Sequence, residues 1–138
     1  MFTAQTLSDQ LKDHFEHPRN AGEVVNPDAS VLLQNPVCGD VLQLTLRVSN
    51  DRIEEIRFRA QGCAPLVACA SVLTELAVGQ TSNTARTLHY NNIIEVLGSL
   101  PSASTHAGHL VIKALIAALD QIDSKKNTEA RPQLFART

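Results

Sequence analysis

Apolar residues recur along this chain first at a spacing of four, then of two, then again of three and four. Leu7, Leu11 and Phe15 mark one face of a helix predicted over residues 6–17. Thr6 is placed to cap its start, and Pro18 forbids its continuation. Arg19-Asn20-Ala21-Gly22 then reads as a turn, residues 23–29 as a loop and residues 30–33 as a short strand. From 41 to 48 the period drops to two: Leu42, Leu44, Leu46 and Val48 share one face, and Gln43, Thr45 and Arg47 the other. Ser49-Asn50-Asp51-Arg52 is a turn signal. Residues 53–60 alternate again, with Ile56, Phe58 and Ala60 inward and Glu55, Arg57 and Arg59 outward. The two runs predict an antiparallel hairpin with one charged face, so helices should cover only the other.

The second half of the chain is helical in pattern. Residues 65–78 predict a helix with Pro65 in its first turn, Gly79 as its stop and many small residues (Ala68, Cys69, Ala70, Ser71) for close packing on the sheet. Residues 81–88 read as a loop or short helical turn, and 91–97 as a short helix that Gly98-Ser99-Leu100-Pro101 breaks. A last helix is expected over 105–122, burying Leu110, Val111, Ala114, Leu115, Ala118 and Leu119. The division expected is one domain over residues 1–123 and a loose polar tail over 124–138.

Composition narrows the function classes. The 138 residues suffice for one core, and a hydrophobic share of 43% excludes a disordered polar chain. A net charge of -2 offers no basic surplus for phosphate backbones, and 4% aromatics with no Trp offers no base-stacking platform, so nucleic acid is not an expected partner. The N-terminus has no basic segment followed by an apolar one, and the apolar run 114–119 is too short to cross a bilayer, so neither a signal peptide nor a membrane partner is expected. Three cysteines are an odd count without the spacing of a disulfide framework, and they suit a reducing cytoplasm.

Candidate chemistry gathers at element ends. Asn35-Pro36-Val37-Cys38-Gly39-Asp40 is a turn at the mouth of a strand, holding a thiol and a carboxylate two residues apart. Cys63 ends the next strand just before the helix opened by Pro65, whose free N–H groups should lower its thiol pKa. His106 opens the last helix. Cys38, Asp40, Cys63 and His106 together form a donor set for zinc or iron, the thiolates favouring the softer metal. Each alone has a plainer reading. Cys-Gly-Asp equally fits a tight turn with a buried thiol, and His106 alone fits a surface or capping histidine. The same residues also admit a thiol enzyme, with Cys63 as nucleophile, His106 as base and Asp40 orienting it, though no nucleophile elbow or oxyanion loop accompanies them. Cys69, in an apolar helical run, reads as core. His109 shares the helix face of His106 and reads as a solvated residue or a spare ligand. His14 and His17 read as surface residues, and His89 shows no partner.

Three segments in order resemble the IscU/NifU N-terminal type of iron–sulfur cluster assembly scaffold. Asp13-His14-Phe15-Glu16-His17-Pro18-Arg19-Asn20-Ala21-Gly22 is similar to the family's helix end with its Pro-Arg-Asn-x-Gly turn. Asn35-Pro36-Val37-Cys38-Gly39-Asp40 resembles its Pro-x-Cys-Gly-Asp ligand loop. Phe58-Arg59-Ala60-Gln61-Gly62-Cys63, with Ala70-Ser71 beyond, resembles its Phe-x-x-x-Gly-Cys junction. The resemblance runs from about Leu7 to Ile122. It implies an α+β fold, a small three-stranded antiparallel sheet packed on one face by several helices, with ligands at one end. It also implies a non-enzymatic job: accepting iron, accepting sulfur from a cysteine desulfurase, building a [2Fe-2S] cluster and passing it to acceptor apoproteins, in some cases through a chaperone. It suggests a monomer that docks on a dimeric desulfurase. Cys38 and Cys63 would be ligands of the cluster, iron or zinc, Asp40 the weak ligand that keeps a cluster labile, and His106 the neighbouring imidazole. Two features depart from the family. Ala107 and Gly108 follow His106 where a third cysteine follows the histidine or stands in its place, and Leu100-Pro101-Ser102-Ala103-Ser104-Thr105 lacks the lysine of the Leu-Pro-Pro-Val-Lys chaperone segment. The first departure raises the alternative of a non-assembling zinc-binding or regulatory paralogue that docks on the sulfur-transfer machinery.

Overall fold

Alternation over 41–61 builds the sheet. The computed structural model describes residues 8–36 and 39–130, the last five as backbone only. Strands β1 (Ala29–Gln34), β2 (Val41–Ser49) and β3 (Arg52–Gln61) pair antiparallel in the order β1-β2-β3. Leu42, Leu44 and Leu46 are fully buried, opposite Ala60, Phe58 and Ile56 of β3. The turn between β2 and β3 uses left-handed Asn50 and Asp51, as short polar side chains permit. One residue of slip between Arg47 and Val48 pairs Glu55 with Arg47 but Ile53 with Val48. This bulge turns Ile53 to the inner face, where strict alternation from Ile56 places it outside. The outer face carries the charges, as expected, but is not bare. Val24 crosses it and donates its N–H to the Thr45 hydroxyl at 2.9 Å, and both are buried.

Helix α2 (Ala64–Ala77) is apolar nearly all round and sits at the centre, between the sheet, α1 (Asp9–Glu16), α4 (Tyr90–Leu97) and α5 (Thr105–Ala130). Its small residues allow this close approach, and Cys69 lies wholly within the core, as expected, its thiol pushed up to about 12 by burial. Gly79 follows the helix in a left-handed conformation and donates to the Ile53 carbonyl, tying the helix end to β3. The single-turn helix α3 (Ser82–Ala85) and a 3-10 turn (Ser102–Ser104) complete the chain.

Three expectations change. Thr6 and Leu7 lie outside the described residues, and the cap of α1 is Ser8, whose hydroxyl accepts from the Leu11 N–H. His14, expected at the surface, is buried with Leu11 against α2, while Phe15 is 43% exposed. The buried face of α1 follows the three-residue step because Ser71 offers His14 a partner. The last helix does not stop at Ile122. No Gly or Pro interrupts the following residues, so residues 124–130 continue it as helix where a loose tail was expected, and residues 131–138 lie outside the description. The helix stays docked beyond Ile122: Arg86 bridges Asp120 and Asp123, and Lys125 donates to the Asp28 carbonyl. Among the described residues no helix is long and apolar enough to cross a membrane.

Candidate metal centre

Three chain segments meet at one end of the sheet. Asp40 enters β2 from a turn closed by two backbone bonds, Gly39 N–H to the Asn35 carbonyl and Asn35 N–H to the Asp40 carbonyl. Gly39 is left-handed there, as the turn requires. Cys63 is the N-cap of α2 at the end of β3. His106 lies in the first turn of α5. Asp40 is 3% exposed, while Cys63 and His106 are half-buried and open the site to one side.

The donor atoms converge. Asp40 Oδ2 lies 3.2 Å from His106 Nε2 and 3.6 Å from Cys63 Sγ, and one ligand atom from each residue falls within 4.8 Å of the others. A tetrahedral ion with bonds of about 2.0–2.3 Å separates its ligands by roughly 3.5 Å. The Asp40 oxygen therefore lies from the nitrogen and from the sulfur about as far as such an ion sets its ligands, and the chemistry of the three donors fits zinc or iron. Cys38 lies outside the described residues.

The thiol of Cys63 corrects one expectation. The helix N-terminus does act on it, since the backbone N–H of Leu66 favours the thiolate. Burial outweighs this, the neighbouring Asp40 carboxylate adds to burial, and the thiol pKa rises instead of falling. Without a cation the thiol keeps its proton and donates it to the Asp40 carboxylate. A cation placed between them offsets the charge of both groups and draws off the thiol proton. The same rise weighs against Cys63 as a free nucleophile.

Gly62 holds the carboxylate in place, a role that sequence reasoning missed although Gly62 stands in the Gly-Cys motif. A Cβ there would lie 2.2 Å from Asp40 Oδ1 and 2.8 Å from its Cγ. Only a residue without a side chain lets Asp40 lie flat against the backbone beside Cys63.

A second polar cluster fixes the Pro-Arg-Asn turn to α2. Ser71 Oγ accepts from the Arg19 N–H at 2.9 Å and is hydrogen-bonded to His14 Nδ1 at 2.8 Å, while His14 Nε2 lies 3.8 Å from a Glu75 carboxylate oxygen. Burial, aided by Arg19, lowers the His14 pKa. Asn20 donates to Thr74 Oγ1 at 3.1 Å. The first resembling segment therefore locks helices together and contributes nothing to the donor set. His17 is exposed, as expected, and His89 begins α4 by exchanging bonds with Asn92. His109 stands apart from the three donors, stacked on Tyr90 at 4.5 Å between ring centres.

The described residues thus form an α+β domain with a mixed carboxylate, thiol and imidazole centre at the end of a three-stranded sheet. The family model described as the NifU-like N terminal domain matches residues 6–129, and the chain belongs to that family. An iron-sulfur cluster assembly scaffold protein, IscU 1 of Archaeoglobus fulgidus, is 38% identical over 112 residues, covering 81% of this chain and 73% of that one. The Escherichia coli K12 protein of the same description, IscU, is 33% identical over 126 residues, covering 88% and 98%. The fold is shared with a solved scaffold for the SUF system from Fervidobacterium islandicum AW-1, at a TM-score of 0.73 and 21% identity over 86% of this chain and 99% of that one. A NifU-like N-terminal protein from Brucella abortus superposes at 0.69 and 18% identity, over 85% and 94%.

Proposed function

We propose that this chain is a scaffold on which iron or a [2Fe-2S] cluster is held and then released, through Asp40, Cys63, His106 and Cys38. The observation that carries the reading is the convergence of Asp40, Cys63 and His106 within 4.8 Å. The family, and relatives described as assembly scaffolds, support it. Cysteine and histidine can jointly hold a [2Fe-2S] centre.

Each residue has a distinct task. Cys63 gives its proton to solvent as the cation arrives and supplies the strong bond. His106 supplies a neutral nitrogen at the open side. Asp40 attracts the cation into a buried position while remaining the weakest donor, so the cargo can leave. The chain acts as a carrier, not a catalyst of turnover. Its partners would be a cysteine desulfurase as sulfur source and apoproteins as acceptors, in a reducing cytoplasm. The test is anaerobic reconstitution with iron, sulfide and a desulfurase. Bound iron with visible absorption is expected, lost in Cys63→Ser and longer-lived in Asp40→Ala. A colourless product free of iron, from protein that also carries no metal as purified, contradicts the reading, and a shorter lifetime in Asp40→Ala contradicts the lability role.

A second reading has its own support. Ala107 is fully buried in the helix turn of His106, so that turn has no third thiol to offer. Four mixed donors also satisfy one tetrahedral zinc, which makes the chain a zinc-binding paralogue docking on the sulfur-transfer machinery. Stable zinc without cluster uptake favours it.

A further inference from the structure

Beside the centre lies a cleft of about 500 Å³ that the proposed scaffold role leaves unused. One wall is a single face of α5, carrying His106, His109 and Lys113, and the opposite wall is the Gln34-Asn35-Pro36 corner. Among the described residues no acidic side chain lines it. Lys113 is exposed and makes no hydrogen bond or ion pair among the described residues, and neither ring nitrogen of His109 has a hydrogen-bond partner there. The His109 ring is nonetheless fixed, lying 10° from parallel to Tyr90. Gly108 makes that stack possible, because a Cβ there would lie 2.6 Å from two Tyr90 ring carbons. A held imidazole and an unpartnered ammonium thus face a space that begins at His106, a proposed ligand, and continues away from it.

We propose that this cleft binds a short peptide thiol, its carboxylate on Lys113 and His109 and its sulfur on the metal beside His106, where it takes the place of Asp40, the weakest donor. The inference rests on the metal-binding part of the proposed function. Charge selects the ligand's far end: with Lys113 and no carboxylate in the cleft, an anion is attracted and a second cation is not. The metal selects its near end, since a thiol loses its proton to solvent on coordination and supplies the sulfur that Ala107 cannot. Length selects its size. His106 and Lys113 are seven residues apart, about 10 Å along the helix, too far for a single amino acid and suited to a tripeptide.

Tyr90 is the only tyrosine and there is no Trp, so intrinsic fluorescence reports on the His109 stack alone. The test has two arms. Reduced glutathione, added to cobalt(II)-loaded protein without oxygen, is expected to add a thiolate-to-cobalt charge-transfer band at saturation. Lys113→Glu should raise its half-saturation by about tenfold or more, the change that some 1.4 kcal/mol produces, and 2-mercaptoethanol, which has no carboxylate, should be comparably weak. S-methylglutathione, which cannot coordinate as a thiolate, should shift Tyr90 emission of the metal-free protein saturably, and not in Lys113→Glu. If cobalt is held but glutathione adds no band, or Lys113→Glu binds it as well as the unaltered protein, the cleft proposal is overturned and the metal site stands. If cobalt is not held at all, both fall.

Discussion

Gly62 and Asp40 show how little chain is needed to aim a ligand. Asp40 is held by contact with a backbone that has no side chain, and the donor distances at the centre depend on that contact. Gly62→Ala must displace the carboxylate, because its own backbone φ of +156° and the short Asp40 side chain leave no other adjustment. Metal affinity should fall about 10- to 100-fold, as when other supports of ligands are removed, with little change in thermal midpoint; chelator competition measures the first and calorimetry the second. Unchanged affinity would mean that Asp40 is not aimed from there. His14 makes a separate prediction. Its pKa is lowered from 6.5 in the fold, so the folded state holds it neutral and the unfolded chain takes up the proton first. Its contribution is complete above that pH and is lost as pH falls below it, a window distinct from the acid loss set by Asp13 and Glu55, whose pKa values bonds with Arg19 and Arg57 lower from carboxylate values. Urea unfolding at several pH values should show stability falling below about pH 6.5, with the slope reduced in His14→Gln. An equal slope in that variant assigns the effect elsewhere.

The link between α1 and α2 depends on one hydroxyl, and the free edge of β1 on one amide. Ser71→Ala leaves the Arg19 N–H and His14 Nδ1 without partners in a buried seam, costing about 1–3 kcal/mol, measurable by denaturant midpoint. A loss near zero would mean that water replaces the hydroxyl. At the sheet edge, Gln121 of α5 accepts from the Ser30 N–H and donates to its carbonyl, so one side chain occupies groups that another strand could pair. Gln121→Ala should increase concentration-dependent self-association in light scattering, promoted by the exposed Leu32 two residues along the same strand. A monodisperse variant at high concentration would show that α5 covers the edge without it.

At the scale of the molecule, what was legible in the sequence had local causes. Alternation gave the hairpin and its faces, Pro65 and Gly79 bounded α2, and the apolar small-residue run placed Cys69 in the core. The burial of His14 and the docking of α5 beyond Ile122 were not legible, since each depends on a partner remote in sequence: Ser71 for the first, Asp28 for the second. The convergence of Asp40, Cys63 and His106 was anticipated from element ends, whereas the direction of the Cys63 pKa was not, because sequence shows a helix N-terminus but not the burial that opposes it. X-ray absorption of the zinc-loaded protein tests the metal centre most directly. Sulfur together with nitrogen and oxygen donors is expected around one ion per chain, with sulfur reduced in Cys63→Ser and nitrogen reduced in His106→Ala. A shell of nitrogen and oxygen alone, or one that neither substitution alters, would contradict it.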